Sequence, residues 1–170
     1  MESAHTFFED IDTNKYVPRS IMVDLEPGVL NSISSSEYGK LFNPDTMISS
    51  QNGAGNCWAA GFYSEGSEII HEVMEKIWKA AEKCESMEGF NLTHSLGGGT
   101  GSGLGSLILK EIWAEFCDKM LTAYSVFPSA RVSDVVVEPY NSVLSINHLI
   151  EDCDLNIVLD NEAMYDILDH

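Results

Sequence analysis

Basic side chains are scarce in this chain: 9 lysines and arginines stand against 27 aspartates and glutamates in 170 residues, for a formal net charge of −18. A field of that sign repels phosphate backbones and anionic lipid, which argues against nucleic acid or a membrane surface as partner. Cysteine is sparse too. Cys57, Cys84, Cys117 and Cys153 lie too far apart for a CxxC metal clip, and with no signal peptide visible they read as reduced cytosolic thiols. No apolar run approaches the length of a membrane span, and no internal repeat or low-complexity tract is present. His71 sits in a His-Glu context but lacks the second histidine of a zinc-protease helix, so it reads as a surface or packing residue. The triplet Asn91-Leu-Thr93 matches a glycosylation acceptor, yet it falls where a strand meets a loop and has no secretory context, so it is discounted.

What the chain does have is a core's worth of apolar residues, 44% of the total, which suits one domain. Its glycine is concentrated. Five glycines fall within the seven residues from Gly97 to Gly103, after a strand-like run and directly before an amphipathic helix. Without Cβ atoms such a segment can bring several backbone N–H groups close to a ligand, and the start of the helix adds free N–H groups and a positive dipole end. The junction therefore suits a phosphate. The dinucleotide fingerprint requires glycines at i, i+2 and i+5, and no register from Gly97 to Gly103 satisfies it. The Walker pattern requires Gly-Lys-Ser/Thr, but the run has no lysine. An anionic nucleotide on so acidic a chain must then be held locally, which backbone N–H groups and a Mg²⁺ ion could do.

Taken in order, residues Met1 to Asn14 show no clear period and read as an irregular lead-in. Ile21–Leu25 fits a short buried strand ended by Glu26-Pro-Gly28, which leaves Asp24 and Glu26 at the strand's C-terminal end, where open α/β sheets bind ligands and a carboxylate can reach a phosphate-bound Mg²⁺. A short helix over Gly28–Ser36, a brief strand at Met47-Ile48 and a small-residue turn, Gln51 to Trp58, follow; that turn could supply further backbone donors. Helical spacing covers Ser67 to about Cys84, Leu104 to about Lys119, and Asn141 to about Ile150, the last with Val143, Leu144 and Ile146 to Ile150 facing largely inward. Strands are expected at Phe90–His94, Leu121–Phe127 and Leu155–Leu159, with His94 pointing into the sheet layer. Val132–Glu138 has strand composition, although Pro139 would end it; Asp160-Asn161-Glu162 opens a last helix. Strands alternating with helices indicate an α/β layer fold with a mainly parallel sheet.

Five stretches carry a resemblance: Val23-Asp-Leu-Glu-Pro-Gly28, Gly53-Ala-Gly-Asn56 with Trp58, Leu92-Thr-His-Ser-Leu-Gly-Gly-Gly-Thr-Gly-Ser-Gly103, Val136-Val-Glu-Pro-Tyr-Asn141 and Asp160-Asn-Glu-Ala163. Together they make the chain from about Tyr16 to Asp166 resemble the tubulin family, its beta branch more than its alpha. That resemblance implies a three-layer, Rossmann-like GTPase domain over 1–170, incomplete because the chain lacks the family's first strand, a central one, and everything after the sixth. It also makes Val132–Glu138 a loop.

The resemblance implies GTP and Mg²⁺ as cofactors. Glu26 would serve the metal; Gly55 and Asn56 would approach the terminal phosphates; Ser95, Gly98, Gly99, Thr100 and Gly101 would hold the phosphates and neighbouring groups. Asp134 and Glu138 would lie at the ribose, and Asn161 would read the guanine edge through its amide. Cys57 departs from the family, which usually carries a second asparagine there. The implied function is a beta-tubulin-like structural subunit of the microtubule cytoskeleton in the cytoplasm, partnered by an alpha-tubulin-like subunit and the microtubule lattice. The alternative is a tubulin-like interaction protein that no longer binds nucleotide or polymerises; a nicotinamide-dependent oxidoreductase is disfavoured by the glycine registers. Unpaired strand edges should make the isolated chain marginal in stability. With no general base left over near the terminal phosphate, it is expected to show no appreciable GTP turnover and to form no filaments by itself.

Overall fold

A computed structural model describes residues 4–12, 15–129, 133 and 135–168. Its organising element is a parallel sheet of three strands in the order β5 (Gly89–Ser95), β6 (Met120–Phe127), β7 (Leu155–Asp160). β6 is central, and its Leu121, Thr122, Ala123 and Ser125 are all buried, as a strand paired on both edges requires. Parallel neighbours need long crossovers, and two helices supply them: α4 (Gly105–Glu115) between β5 and β6, and α5 (Glu138–Glu151) between β6 and β7. The register pairs Ser95 with Val126 and Val126 with Leu159, so the three strands end level at one edge.

Two further strands, β3 (Met22–Asp24) and β4 (Met47–Ser49), form a separate parallel pair, with α2 (Pro27–Ser35) between them. Pro27 opens α2, where its missing N–H costs nothing. Helix α3 (Glu65–Glu82) buries Ile70, Val73, Met74 and Ile77 on one stripe, carries Glu65 and Glu68 in its first turn and Lys79 in its last, and packs beside α4. Helix α4 in turn packs beside α5, and Leu107, Ile108, Leu109 and Ile112 join that stripe in the core. The chain is thus α/β with mainly parallel strands, and the expected elements from Met22 to Ser95 and at β6 and β7 are in place.

Three local expectations are corrected. The lead-in is not irregular: α1 (Ala4–Phe7) precedes an antiparallel hairpin of β1 (Phe8–Asp12) and β2 (Lys15–Pro18), in which Glu9 pairs with Val17 across a bulge-bearing register. The strand composition of Val132–Glu138 is overridden, as the resemblance implies: Val136-Val137 form a turn and Pro139 stands in the first turn of α5, while Val132 and Asp134 lie outside the described residues. The inward face of α5 is polar, not apolar. Asn141, Ser142, Ser145 and Leu149 are buried, while Val143, Leu144 and Ile150 are exposed, because this helix lies over a loop whose carbonyls need donors. Finally, among the described residues β3 pairs only with β4, and β5 only with β6. A cleft of about 280 Å³ lies between β3 and β5, lined by Ile21, Val23, Leu92, Thr93, Leu104 and Ile108.

Candidate functional site

The level C-terminal edge of β5 runs straight into the glycine loop. Gly99 has right-handed backbone angles (φ −72°, ψ −37°), and a wide π-type turn from Thr100 to Leu104 leads into α4. The first N–H groups of such a helical start have no partner within the helix. The loop's carbonyls, by contrast, are engaged from behind. Ser142 Oγ donates to the Leu96 carbonyl at 3.2 Å, and both the backbone N–H and the hydroxyl of Ser102 donate to the Gly98 carbonyl. His94 takes the Gly101 carbonyl at 2.8 Å through Nδ1, while its Nε2 lies 2.8 Å from Ser125 Oγ. A carbonyl only accepts, so Nδ1 carries the proton and Nε2 accepts from the serine. Burial lowers the His94 pKa below the ordinary imidazole value, and the Gly101 carbonyl opposes that shift in part.

A second segment meets the loop head-on. In the turn from Gly53 to Cys57, Gly53, Gly55 and Asn56 all have positive φ, at 67°, 54° and 55°. Asparagine tolerates this left-handed region better than most residues. A Cβ built on Gly99 would lie 2.6 Å from Ala54 Cβ and 2.7 Å from Cys57 N, so the two segments touch backbone to backbone. They continue as paired π turns, Ala60–Ser64 facing Thr100–Leu104, with Gly61 against the Gly99 carbonyl and Gly103 against the Trp58 carbonyl. Single π turns inside helices recur at functional sites. The exceptions are Gly55 and Gly98. Nothing approaches a Cβ on Gly55 within 4 Å, and only Asn56 Oδ1, at 3.8 Å, approaches one on Gly98. These two open on the space in front of the loops.

Glu26 caps the end of β3 beside the same turn: its Oε1 would be 2.5 Å from a Cβ on Gly53, and Gly53 donates its N–H to the Leu25 carbonyl at 3.0 Å. Asp24 Oδ1 accepts the Glu26 N–H at 3.3 Å, which commits one of its oxygens to the local turn. Glu138 opens α5 with its carboxylate beside Gly97. Asn161 opens α6 (Asn161–Leu168) at the end of β7, two strands across from Ser95, or roughly 10 Å along the sheet edge at ordinary strand spacing. Asp134 lies outside the described residues. The structure therefore brings Glu26, Gly55, Asn56, Ser95, Gly98, Gly99, Thr100, Gly101 and Glu138 to one edge, with Asn161 at its far end. Sequence reasoning missed His94, Ser142 and Asn141 as supports of the loop.

A family model for the GTPase domain of the Tubulin/FtsZ family matches residues 1–169. The chain belongs to that family. The tubulin beta-1 chain of Hypocrea rufa and the tubulin beta-2 chain of Anemia phyllitidis are each 48% identical to it over 167 residues, and the nucleomorph tubulin beta chain of Guillardia theta is 50% identical over the same length. Each match takes in 98% of this chain but only 37% to 41% of the relative, so the chain spans about two fifths of the length of these relatives. The edge just described thus lies in a tubulin-type GTPase domain, and the likeness is to the beta branch.

Proposed function

We propose that this chain binds GTP with Mg²⁺ at the shared C-terminal edge and acts as a beta-tubulin-like structural constituent of the microtubule cytoskeleton, with an alpha-tubulin-like subunit as its cytoplasmic partner. The observation that carries the nucleotide reading is the polarity of the glycine loop. Its carbonyls accept from Ser142, Ser102 and His94, the first N–H groups of the helical start have no partner within the helix, and open space lies at Gly55 and Gly98. A lysine-free cradle of this kind is how a chain of net charge −18 can hold a triphosphate.

In this reading Ser95, Gly98, Gly99, Thr100 and Gly101 contact the phosphates, and Gly55 and Asn56 approach the terminal one. Glu138, with Asp134, serves the ribose, and Asn161 reads the guanine edge. Glu26 holds Mg²⁺ alone. Among the described residues no group of three or more His, Cys, Asp or Glu side chains could cage a metal, and Mg²⁺ is commonly held by one or two carboxylates together with substrate phosphates. The metal would supply charge neutralisation at the phosphates. The test is a GTP titration with and without Mg²⁺, in the parent and in Glu26→Gln. Tighter binding with Mg²⁺ in the parent, lost in the variant, is the expected result; an equal Mg²⁺ effect in both would remove Glu26 from the metal.

A further inference from the structure

Asn141 sits on the inward face of α5 and is 4% exposed. Its amide oxygen accepts the Trp58 N–H at 2.9 Å. Its amide nitrogen donates to the Asn56 carbonyl and to the Gly97 carbonyl, each at 2.8 Å. Both donors and one acceptor site are thus used, and all three partners are main-chain groups. The orientation of the amide follows from the partners, since a flipped amide would set its oxygen against two carbonyls. One side chain thereby ties together the left-handed Asn56, the glycine loop and Trp58, where the helical segment leading into the π turn and α3 begins.

We infer that Asn141 is a positioning residue that clamps the two phosphate-facing loops at fixed separation and presents their N–H groups together; this rests on the nucleotide reading above. Holding the Asn56 carbonyl also holds that residue at φ 55°, a conformation that needs support. Because α5 also carries Glu138 in its first turn, the clamp ties the helix at the proposed ribose side to the phosphate loops. Without the amide, three main-chain groups in a buried to part-buried contact lose their partner, and the loops separate or reorient to reach water.

The test uses the full chain and Asn141→Leu, which keeps the volume and removes all three bonds, with Asn141→Ser as the milder variant should the first fail to fold. GTP and GMP affinities are measured side by side, and amide exchange is followed at Trp58, across Gly98–Ser102, and in β6 as control. The clamp predicts that GTP binding weakens about tenfold or more while GMP binding changes less than about twofold. It also predicts that exchange at Trp58 and the loop accelerates by at least about tenfold with β6 unchanged. Equal losses for GTP and GMP, or loop exchange as slow as in the parent, would overturn it. A parent that binds no GTP would defeat the nucleotide reading, and the exchange arm would then decide the clamp by itself.

Discussion

Gly99→Ala and Gly98→Ala separate two reasons for which a phosphate loop can require glycine. The backbone at Gly99 is right-handed, so a side chain is not barred by φ; the obstacle is space. Its Cβ would meet Ala54 Cβ at 2.6 Å, Cys57 N at 2.7 Å and Cys57 O at 2.8 Å. Carbon contacts settle at about 3.5–4.0 Å, so the loop and the turn must part by about 1 Å, and no flexible side chain is available to give way. Overpacking of this kind costs about 1–3 kcal/mol, and the upper end applies because backbone must move. Replacing glycine in a helical conformation returns about 0.5–1 kcal/mol, which leaves a net loss of about 2 kcal/mol and a Tm lowered by roughly 4–8 °C for a chain of this size. At Gly98 the nearest atom is Asn56 Oδ1 at 3.8 Å, an ordinary contact, so stability should hold within about 0.5 kcal/mol. The added methyl instead enters the open space and should weaken GTP about tenfold. Thermal unfolding by circular dichroism and a GTP titration on both variants check this. If Gly99→Ala were as stable as the parent, or Gly98→Ala the less stable of the two, the packing argument would be refuted.

His94 is buried neutral with its pKa lowered by desolvation, so the unfolded chain takes up the proton first as pH falls. Its contribution is complete above the unfolded imidazole value of about 6.5 and is lost as pH drops from there through the folded value; denaturant midpoints measured between about pH 7 and 5.5 should fall less steeply in His94→Gln, and parallel curves would contradict the assignment. Cys153 is half-buried, and burial together with the Asp152 and Asp154 carboxylates pushes its thiol up to about 11. Alkylation at pH 8, followed by peptide mass analysis, should label exposed Cys57 and Cys117 roughly a hundredfold faster than Cys153, and comparable rates would count against the packing around β7. Asn161→Asp replaces an amide donor with an acceptor-only carboxylate and should cut the preference for GTP over ATP about tenfold, as read by competition binding; an unchanged ratio would take Asn161 out of base recognition.

Much of the site was legible because its signal is local. Glycines at 97, 98, 99, 101 and 103 after an apolar strand and before the stripe Leu104, Leu107, Ile108, Ile112 announce a strand–loop–helix junction in any context. The Gly53–Asn56 turn was legible for the same reason. What glycine is for was less so. Gly99 and Gly101 read as positions open to a ligand, yet Cβ atoms there would strike Cys57 and the Ser95 carbonyl, a fact of two segments meeting that neither segment encodes alone. The face of α5 misled in the same way: Val143, Leu144 and Ile150 are apolar yet exposed, whereas Asn141, Ser142 and Ser145 are buried because the Leu96, Gly97 and Ser102 carbonyls lie beneath them. The hairpin Phe8–Pro18 escaped notice because a register shift between Asp10 and Asp12 breaks the alternation that marks a strand. The signal that could have exposed the Asn141 clamp was an unexplained asparagine at the end of the stretch Val136-Val-Glu-Pro-Tyr-Asn141, two residues before an apolar pair.

The most direct test of the nucleotide reading is to identify what the purified chain carries. Denaturing the purified chain and separating the released small molecules by chromatography and mass spectrometry should yield GTP or GDP at close to one equivalent, or, from a nucleotide-free sample, restore that stoichiometry on addition of GTP with Mg²⁺. A folded sample that releases no guanine nucleotide and takes up none, or that carries a stoichiometric nicotinamide dinucleotide, would contradict it.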